Sequence, residues 1–555
     1  MGPTKTPTSS RTHVRASQWA LGASALVGTI MFVVLWRTLA VFAISGDDFA
    51  LVLNSARPYV GLKGMAAWFT SGYSHYFDNY PGWAPAGTSF VRPLINAFVW
   101  LESLAVPIVG ERAYLIANWV ALAVSVFLLT LVLVRYAGLD ARLSAAVAVG
   151  MGLTPLWWGS LTSPSFGTNT IALALSLAAL VMLDPSAEPQ WQRVFAASLL
   201  LTLAVAAHET ALVGVVVCAV LFWGYSPATP RAPVLAWFGI PLGFFLVERA
   251  LLKEHSGTYA LGLTGADVIN HLKHALAGPV IPYDPLRFLT ARLTRITWFE
   301  LVVWAVCVIA NYAIVAGIVI GARSDQPLRR RLSAVIALTL TLPFVVLIDA
   351  EPRFMGITFG AALIAVMSLI QQREWLRVTA VALLVVACAA VFAEGFAPYG
   401  SAIASNSEFD HAYYLSIRSA ILERHPRMVV LVNDPVGLYG SRAMLEMAAW
   451  PRHDVHLVVI DNYRGPLGGA EYAGITASRG HLSVSTRFSA QQTLEFDGSA
   501  VTLPTSQESF TYVGTMATTT GLGSTLRAEG SIETSHTLVV GADPRDGSIL
   551  RPISY

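Results

Sequence analysis

The chain has 555 residues, 55% of them hydrophobic and only 13% charged, with a mean hydropathy of +0.58. A soluble domain carries roughly 25% charged residues, so this composition excludes an ordinary soluble protein and points to a chain solvated largely by lipid. A net charge of +2 and the lack of any long basic tract exclude a nucleic-acid partner. The first predicted element is the apolar stretch 16–44, which follows a Pro/Thr/Ser-rich segment (1–15) read as a disordered cytoplasmic tail holding Lys5, Arg11 and Arg15. It is far longer than the roughly 7–15 apolar residues of a signal peptide, so it reads as a retained transmembrane helix. Arg37 inside it is an intramembrane cation, either functional or merely snorkelling or paired within the bundle.

Ten further apolar runs follow, near 113–134, 143–159, 168–184, 194–207, 210–224, 233–251, 298–321, 332–349, 354–370 and 378–395. Each approaches the roughly 17–25 residues that cross a bilayer, and the total is about eleven. The connections alternate in charge. Arg135 and Arg142, Arg193, Arg231, the group Arg323, Arg329, Arg330 and Arg331, and Arg373 with Arg377 fall on one side. The opposite short connections carry no Lys or Arg near Thr162 and His208, and a single Arg353 near Glu351. That bias places the N-terminus in the cytoplasm, and an odd number of spans places the C-terminus outside. The parity rests on dividing 194–224 into two short helices around "AAHETA".

Three larger segments then lie outside. Residues 45–112 form a first loop, and 252–297 a second in which Val268, Leu272 and Leu276 at helical spacing suggest a helix lying in the interface. Residues 396–555 form a soluble α/β or β-rich domain. It has a helical stretch near 411–424, two strand-like runs ("RMVVLVND", "VHLVVID"), and a second half of alternating Thr, Ser, Val, Phe and Tyr that suggests antiparallel strands. Cys218, Cys307 and Cys388 all fall in apolar runs and read as small buried hydrophobes, so the outer domain has no disulfide framework.

The topology gathers polar residues at the outer boundary. They are Asp47 and Asp48 in "SGDDFALVLN", Asn54, Arg92 in "SFVRPLINAF", His208 and Glu209 in "VAAHETALVG", and Arg353 in "IDAEPRFMG". Each has a plain reading alone. An Asp pair caps a helix, His-Glu tips a hairpin, Arg353 anchors at the interface, and Arg92 before Pro93 ends a loop. Four segments at one depth make a shared site the sharper reading. An arginine fork suits a phosphate, and a carboxylate suits removal of a proton from an attacking hydroxyl. The substrate combining an interfacial phosphate with an exposed reactive group is a polyprenyl-linked sugar.

These motifs resemble those of membrane glycosyltransferases of the C-type fold. The resemblance is nearest to the branch of protein O-mannosyltransferases and tetratricopeptide-containing mannosyltransferases. "SGDDFALVLN" resembles their acidic motif after the first helix, "FVRPLINAFVWL" their Arg-Pro-Leu segment, "AAHETALVG" their Lys-Glu hairpin and "EPRFMG" their Arg-Tyr motif. The match runs in order over 16–395 and departs at His208, where the family has lysine, and Phe354, where it has tyrosine. No tetratricopeptide repeats follow, and the C-terminal domain resembles no named family.

The resemblance implies a hexosyl- or mannosyl-type transferase in a bacterial plasma membrane, serving the cell envelope with a lipid-linked sugar donor. The acceptor would be a glycan, a glycolipid or a protein, with membrane lipids as the other partners. It assigns Asp47 as the general base and Asp48 as a supporting contact or cap. Asn54, Arg92, His208, Glu209 and Arg353 would bind substrate, the two arginines at the lipid phosphate. No cofactor is indicated and no metal ligand is assigned, although some C-type enzymes hold a divalent metal between acidic residues. Two other classes fit parts of the pattern. A transporter or flippase for lipid-linked glycans would place its charges near mid-bilayer, and a non-catalytic envelope assembly factor would not need the cluster.

Overall fold

The first apolar run forms one long helix, α1 (Thr8–Val41). This is a computed structural model. It describes residues 8–44, 48–69, 92–136, 138–154, 157–183, 190–225, 231–251, 407–432, 441–452, 454–460, 470–478, 481–488, 501–502, 510–515, 525–531, 536–542 and 549–553, with isolated helical positions at 305, 378–379, 381–382 and 385–386. Asp47, Arg353, the second outer segment and the expected spans at 298–321, 332–349 and 354–370 therefore fall outside the description, apart from residue 305. The side chain of Arg37 does too.

One face of α1 is buried at Ala16, Ala20, Ala23, Val27, Met31 and Leu35, spaced three or four apart, the stripe a helix presents to its neighbours. The opposite face exposes Trp19, Leu21, Leu26, Phe32, Val33 and Trp36. Large apolar side chains on that scale need hydrocarbon rather than water around them. Among the described residues, two stretches, Val14–Trp36 and Val106–Tyr136, are long and apolar enough to cross a bilayer.

Residues 45–112 are helical where described: α2 (Asp48–Ser55), α3 (Leu62–Ala67), α4 (Pro93–Ser103) and α5 (Val106–Val109). A 3₁₀ turn (Gly110–Leu115) leads into α6 (Ile116–Tyr136). The bundle continues with α7 (Ala141–Gly152), α8 (Trp158–Thr162), α9 (Thr168–Met182), α10 (Trp191–Ala207), α11 (Ala211–Tyr225) and α12 (Arg231–Leu251). The run expected to span 143–159 ends as a helix at Gly152, because Pro155 is close behind and disfavours helix in the residue before it. Gly152 itself is required by packing. A Cβ there would meet Val27 at 2.8 Å and Val126 at 2.9 Å, so its absence lets α7 close on α1 and α6.

In an apolar surround every backbone polar group needs a partner. Ser125, Thr130 and Ser176 turn their hydroxyls onto carbonyls four residues earlier in their own helices. Pro241 within α12 has no N–H for the carbonyl of Trp237, four residues back. Ser198 of α10 fills that gap, donating to the Trp237 carbonyl at 2.6 Å. The proline is accommodated because a neighbouring helix satisfies the carbonyl it frees.

The C-terminal residues build two sheets. The first runs β2-β1-β8-β9 (His456–Ile460, Met428–Val432, Thr537–Ala542, Ile549–Ile553), with β1 parallel to β2 and β8, and β9 antiparallel to β8. Between β2 and β8 the chain makes an antiparallel sheet in the order β3-β4-β7-β6-β5 (Ala470–Ser478, His481–Phe488, Thr525–Ser531, Phe510–Thr515, Val501–Thr502). Val429, Val430 and Leu431 in the central strand β1 are fully buried, as a parallel strand covered on both faces requires. Two helices accompany the first sheet, α13 (residues 407–424) and α14 (Ser441–Ala449). Arg418 of α13 joins them by donating to the carbonyls of Met447 and Trp450, both at 3.0 Å, at the end of α14. Both helices also meet residues 45–112. The Phe49 and Tyr414 rings lie 5.7 Å apart, and Tyr59 meets Trp450 edge-on at 5.3 Å.

Candidate functional site

α6 and α9 both begin at the end of the bundle where α1 and α10 finish, so that end collects residues from distant parts of the chain. Asp48 opens α2 and is 3% exposed. Its Oδ1 accepts from the Ser163 hydroxyl at 2.8 Å and from the Ser165 N–H at 2.9 Å. The two serine hydroxyls are themselves 2.9 Å apart. The carboxylate thus holds the turn before α9 rather than the N-terminus of its own helix. Ser55 lies seven residues on, hence on the same helical face, and donates to Asn96 of α4 at 2.7 Å. Asn54, the next position round, is half-buried. Its carbonyl accepts from the Trp68 indole at 2.8 Å, and its side-chain N–H₂ has no hydrogen-bond partner among the described residues.

Arg92 precedes Pro93 and takes φ −133°, ψ 68°, off the helical region as a residue before proline must be. From there its Nη2 reaches the α10–α11 hairpin, 3.2 Å from Glu209 Oε1, 3.4 Å from Oε2 and 3.2 Å from His208 Nε2. The hairpin lies where "AAHETA" predicts it. His208 ends α10 in an extended conformation and is fully buried. Its Nδ1 is 2.9 Å from the Thr210 hydroxyl, which donates to Asn169 Oδ1 of α9 at 3.4 Å. Nε2 faces the Arg92 guanidinium, which can only donate, and Nδ1 also faces the Thr210 N–H at 3.2 Å, so both ring nitrogens lie against donors. Polar contacts thus run from Arg92 through His208 and Thr210 to Asn169.

The turn 163–169 joins the two groups. It carries the Asp48 partners at its start and Asn169 at its end. Asn118 of α6 lies against it, with Nδ2 3.4 Å from the Ser163 carbonyl, and a Cβ on Gly167 would come within 1.7 Å of the Asn118 oxygen. Only glycine admits that approach. The structure therefore brings Asp48, Arg92, His208 and Glu209 to one polar layer, with Asn54 on the helix that Asp48 opens. Sequence reasoning missed Ser163, Ser165, Asn169, Thr210, Asn118 and Gly167. The run "SPSFGTNT" was the available signal, a polar turn with proline and glycine between two apolar helices.

Beside this layer stands a further carboxylate. Glu102 of α4 accepts from the Ala117 N–H at 2.7 Å, capping the first turn of α6. Burial pushes its carboxyl up to about 8, against the opposing pull of that N–H. Among the described residues no group of three or more His, Cys, Asp or Glu is placed to hold a metal ion. The Asp48 oxygen is also occupied by two hydrogen-bond donors that a cation would oppose.

No protein-family model matches the sequence, and no curated protein does. Among solved structures, the chain is similar to the crystal structure of ArnT from Cupriavidus metallidurans bound to undecaprenyl phosphate. That similarity has a TM-score of 0.44 and 11% sequence identity, over 79% of this chain and 86% of that chain.

Proposed function

We propose that the chain is an integral-membrane glycosyltransferase that moves a sugar from a polyprenyl-phosphate donor to an acceptor hydroxyl at the outer face of a bacterial plasma membrane. The observation that carries the reading is convergence. Residues picked from separate motifs, Asp48, Arg92, His208 and Glu209, meet in one layer at one end of an apolar bundle. Arg135, Arg142 and Arg193 belong to the other end, which supports a cytoplasmic assignment for it.

In this reading the acceptor oxygen attacks the anomeric carbon as the bond from that carbon to the lipid phosphate oxygen breaks. The acceptor proton passes to a carboxylate, and the polyprenyl phosphate leaves with its charge stabilised by a guanidinium. Asp47 is the base. Asp48 is buried and commits an oxygen to the 163–165 turn, which favours a supporting role. Arg353 is the candidate for the leaving phosphate, because the Arg92 charge is already balanced by Glu209. Asn54 has a side-chain donor to offer the sugar or acceptor, and His208 holds Arg92 in place. The sugar is a hexose of mannosyl type, and the acceptor a glycan, glycolipid or protein.

The test is release of polyprenyl phosphate in step with acceptor glycosylation, using the full chain in lipid nanodiscs and a panel of polyprenyl-phosphate hexoses. Arg353→Ala should slow release about 10²–10³-fold, the cost of removing one such contact in a dry site. Absence of transfer from every donor would refute the reading. Normal turnover in Arg353→Ala would reduce that residue to an interfacial anchor.

A further inference from the structure

We propose that Glu111 is a positioning residue which, together with one face of α13, holds Ile44 and Phe49, the residues that flank the acidic pair on either side in the sequence. Residues 42–44 lie outside any helix, between the end of α1 and the start of α2, and Phe42, Ala43 and Ile44 are all buried. A buried non-helical N–H needs an acceptor. For Ile44 that acceptor is Glu111 Oε2, 67 residues away along the chain and at 2.7 Å, a short bond of the charge-assisted kind. Glu111 is delivered by the 3₁₀ turn, which Gly110 enters with φ +72°, a left-handed conformation that suits glycine.

The same Glu111 oxygen lies 3.8 Å from His411 Nδ1 on α13. His411 and Tyr414 share a helical face, and the Tyr414 ring meets Phe49, immediately after Asp48. Tyr414 is also hydrogen-bonded to the Tyr59 hydroxyl, which burial first and the Tyr414 neighbour second push up to about 12. In sequence, then, Asp47 is bracketed. Ile44 is held three residues before it and Phe49 two residues after, both by the Glu111–α13 face. The C-terminal region belongs to the frame of the site. The consequence for turnover rests on the function proposed above; the clamp itself does not.

The experiment measures amide hydrogen exchange over residues 42–55 of the full chain in nanodiscs, beside kcat and donor KM. Glu111→Ala should speed exchange there by about ten- to a hundredfold, the worth of a hydrogen bond to a charged group, while α6 and α9 keep their protection. Glu111→Gln, whose amide oxygen still accepts, should restore it. Where transfer is measurable, kcat should fall with donor KM unchanged in Glu111→Ala and recover in Glu111→Gln. Unchanged exchange over 42–55 in Glu111→Ala would overturn the proposal. Should Glu111→Ala loosen the whole protein, Tyr414→Leu decides: faster exchange confined to 42–55 supports the clamp, and no change overturns it. A wild-type chain that transfers from no donor would refute the transferase reading and leave the exchange result to stand on its own.

Discussion

At one end of the bundle, Arg135 Nη1 donates to the Val181 carbonyl at 2.6 Å, and the Tyr136 hydroxyl bonds the carbonyls of Leu180 and Leu183. Asp140 accepts from the N–H groups of Arg142 and Leu143, and the Arg142 guanidinium lies 5.5 Å above the Trp19 ring. At the other end, Arg92, His208, Glu209, Thr210 and Asn169 bond to one another. The residue types are alike, and their use differs. The first set terminates helices, binding backbone groups that any helix end leaves over. The second links side chains across α4, α9 and the hairpin, holding charge away from water at a cost that helix termination does not require. A polar layer of that kind needs a reason beyond folding, and the proposed chemistry supplies one.

The contrast can be broken at its strongest point. Arg92→Met removes the cation that lies 3.2 Å from Glu209. Removing one partner of a fully buried pair costs roughly 3–5 kcal/mol. Here the side chains are 14% and 20% exposed, so we expect about 2 kcal/mol, read as a lower thermal midpoint of the purified protein. Arg92→Met combined with Glu209→Gln should recover much of that loss. A single variant as stable as wild type would mean that the pair is not energetically coupled.

Two carboxylates cap helix starts at opposite ends, and they should respond differently. Glu102 has its carboxyl raised from an ordinary 4.5 to about 8 by burial. A raised folded-state value means that the folded protein keeps the proton longer. The stability it contributes is fully present below 4.5 and lost as pH rises through about 8. Glu102→Gln should flatten the pH dependence of the thermal midpoint across that window. An identical slope in the variant would remove Glu102 as its source. Asp140→Ala at the other end should cost only about 1 kcal/mol, the ordinary worth of an N-cap, and should leave transfer untouched.

The helices were legible because lipid demands long apolar runs, and the hairpin because "AAHETA" interrupts one. The strands β1 and β2 fall in the two runs rich in Val, Leu and Ile. Which residues share a depth was also legible, since charge alternation orders the ends. Their partners were not. Asp48 is satisfied 115 and 117 residues downstream, Arg92 meets His208 and Glu209 116 and 117 residues away, and Ser198 satisfies the carbonyl that Pro241 frees, 39 residues on. Contacts at that separation are fixed by how helices pack, which no local pattern encodes. Apolar stretches that define spans say little about the turn 163–169, whose geometry depends on Asn118 reaching Gly167.

The account turns on which of two adjacent carboxylates does chemistry. Transfer from a polyprenyl-phosphate hexose in nanodiscs should be compared for wild type, Asp47→Asn and Asp48→Asn. Asn keeps the size and capping ability of Asp but accepts no proton, so Asp47→Asn should lose about 10²–10⁴ in rate with donor binding retained. Asp48→Asn, still able to accept from Ser163 and Ser165, should keep most of its activity. Near-normal rates in both variants would contradict the mechanism, and loss confined to Asp48→Asn would contradict the assignment of the base.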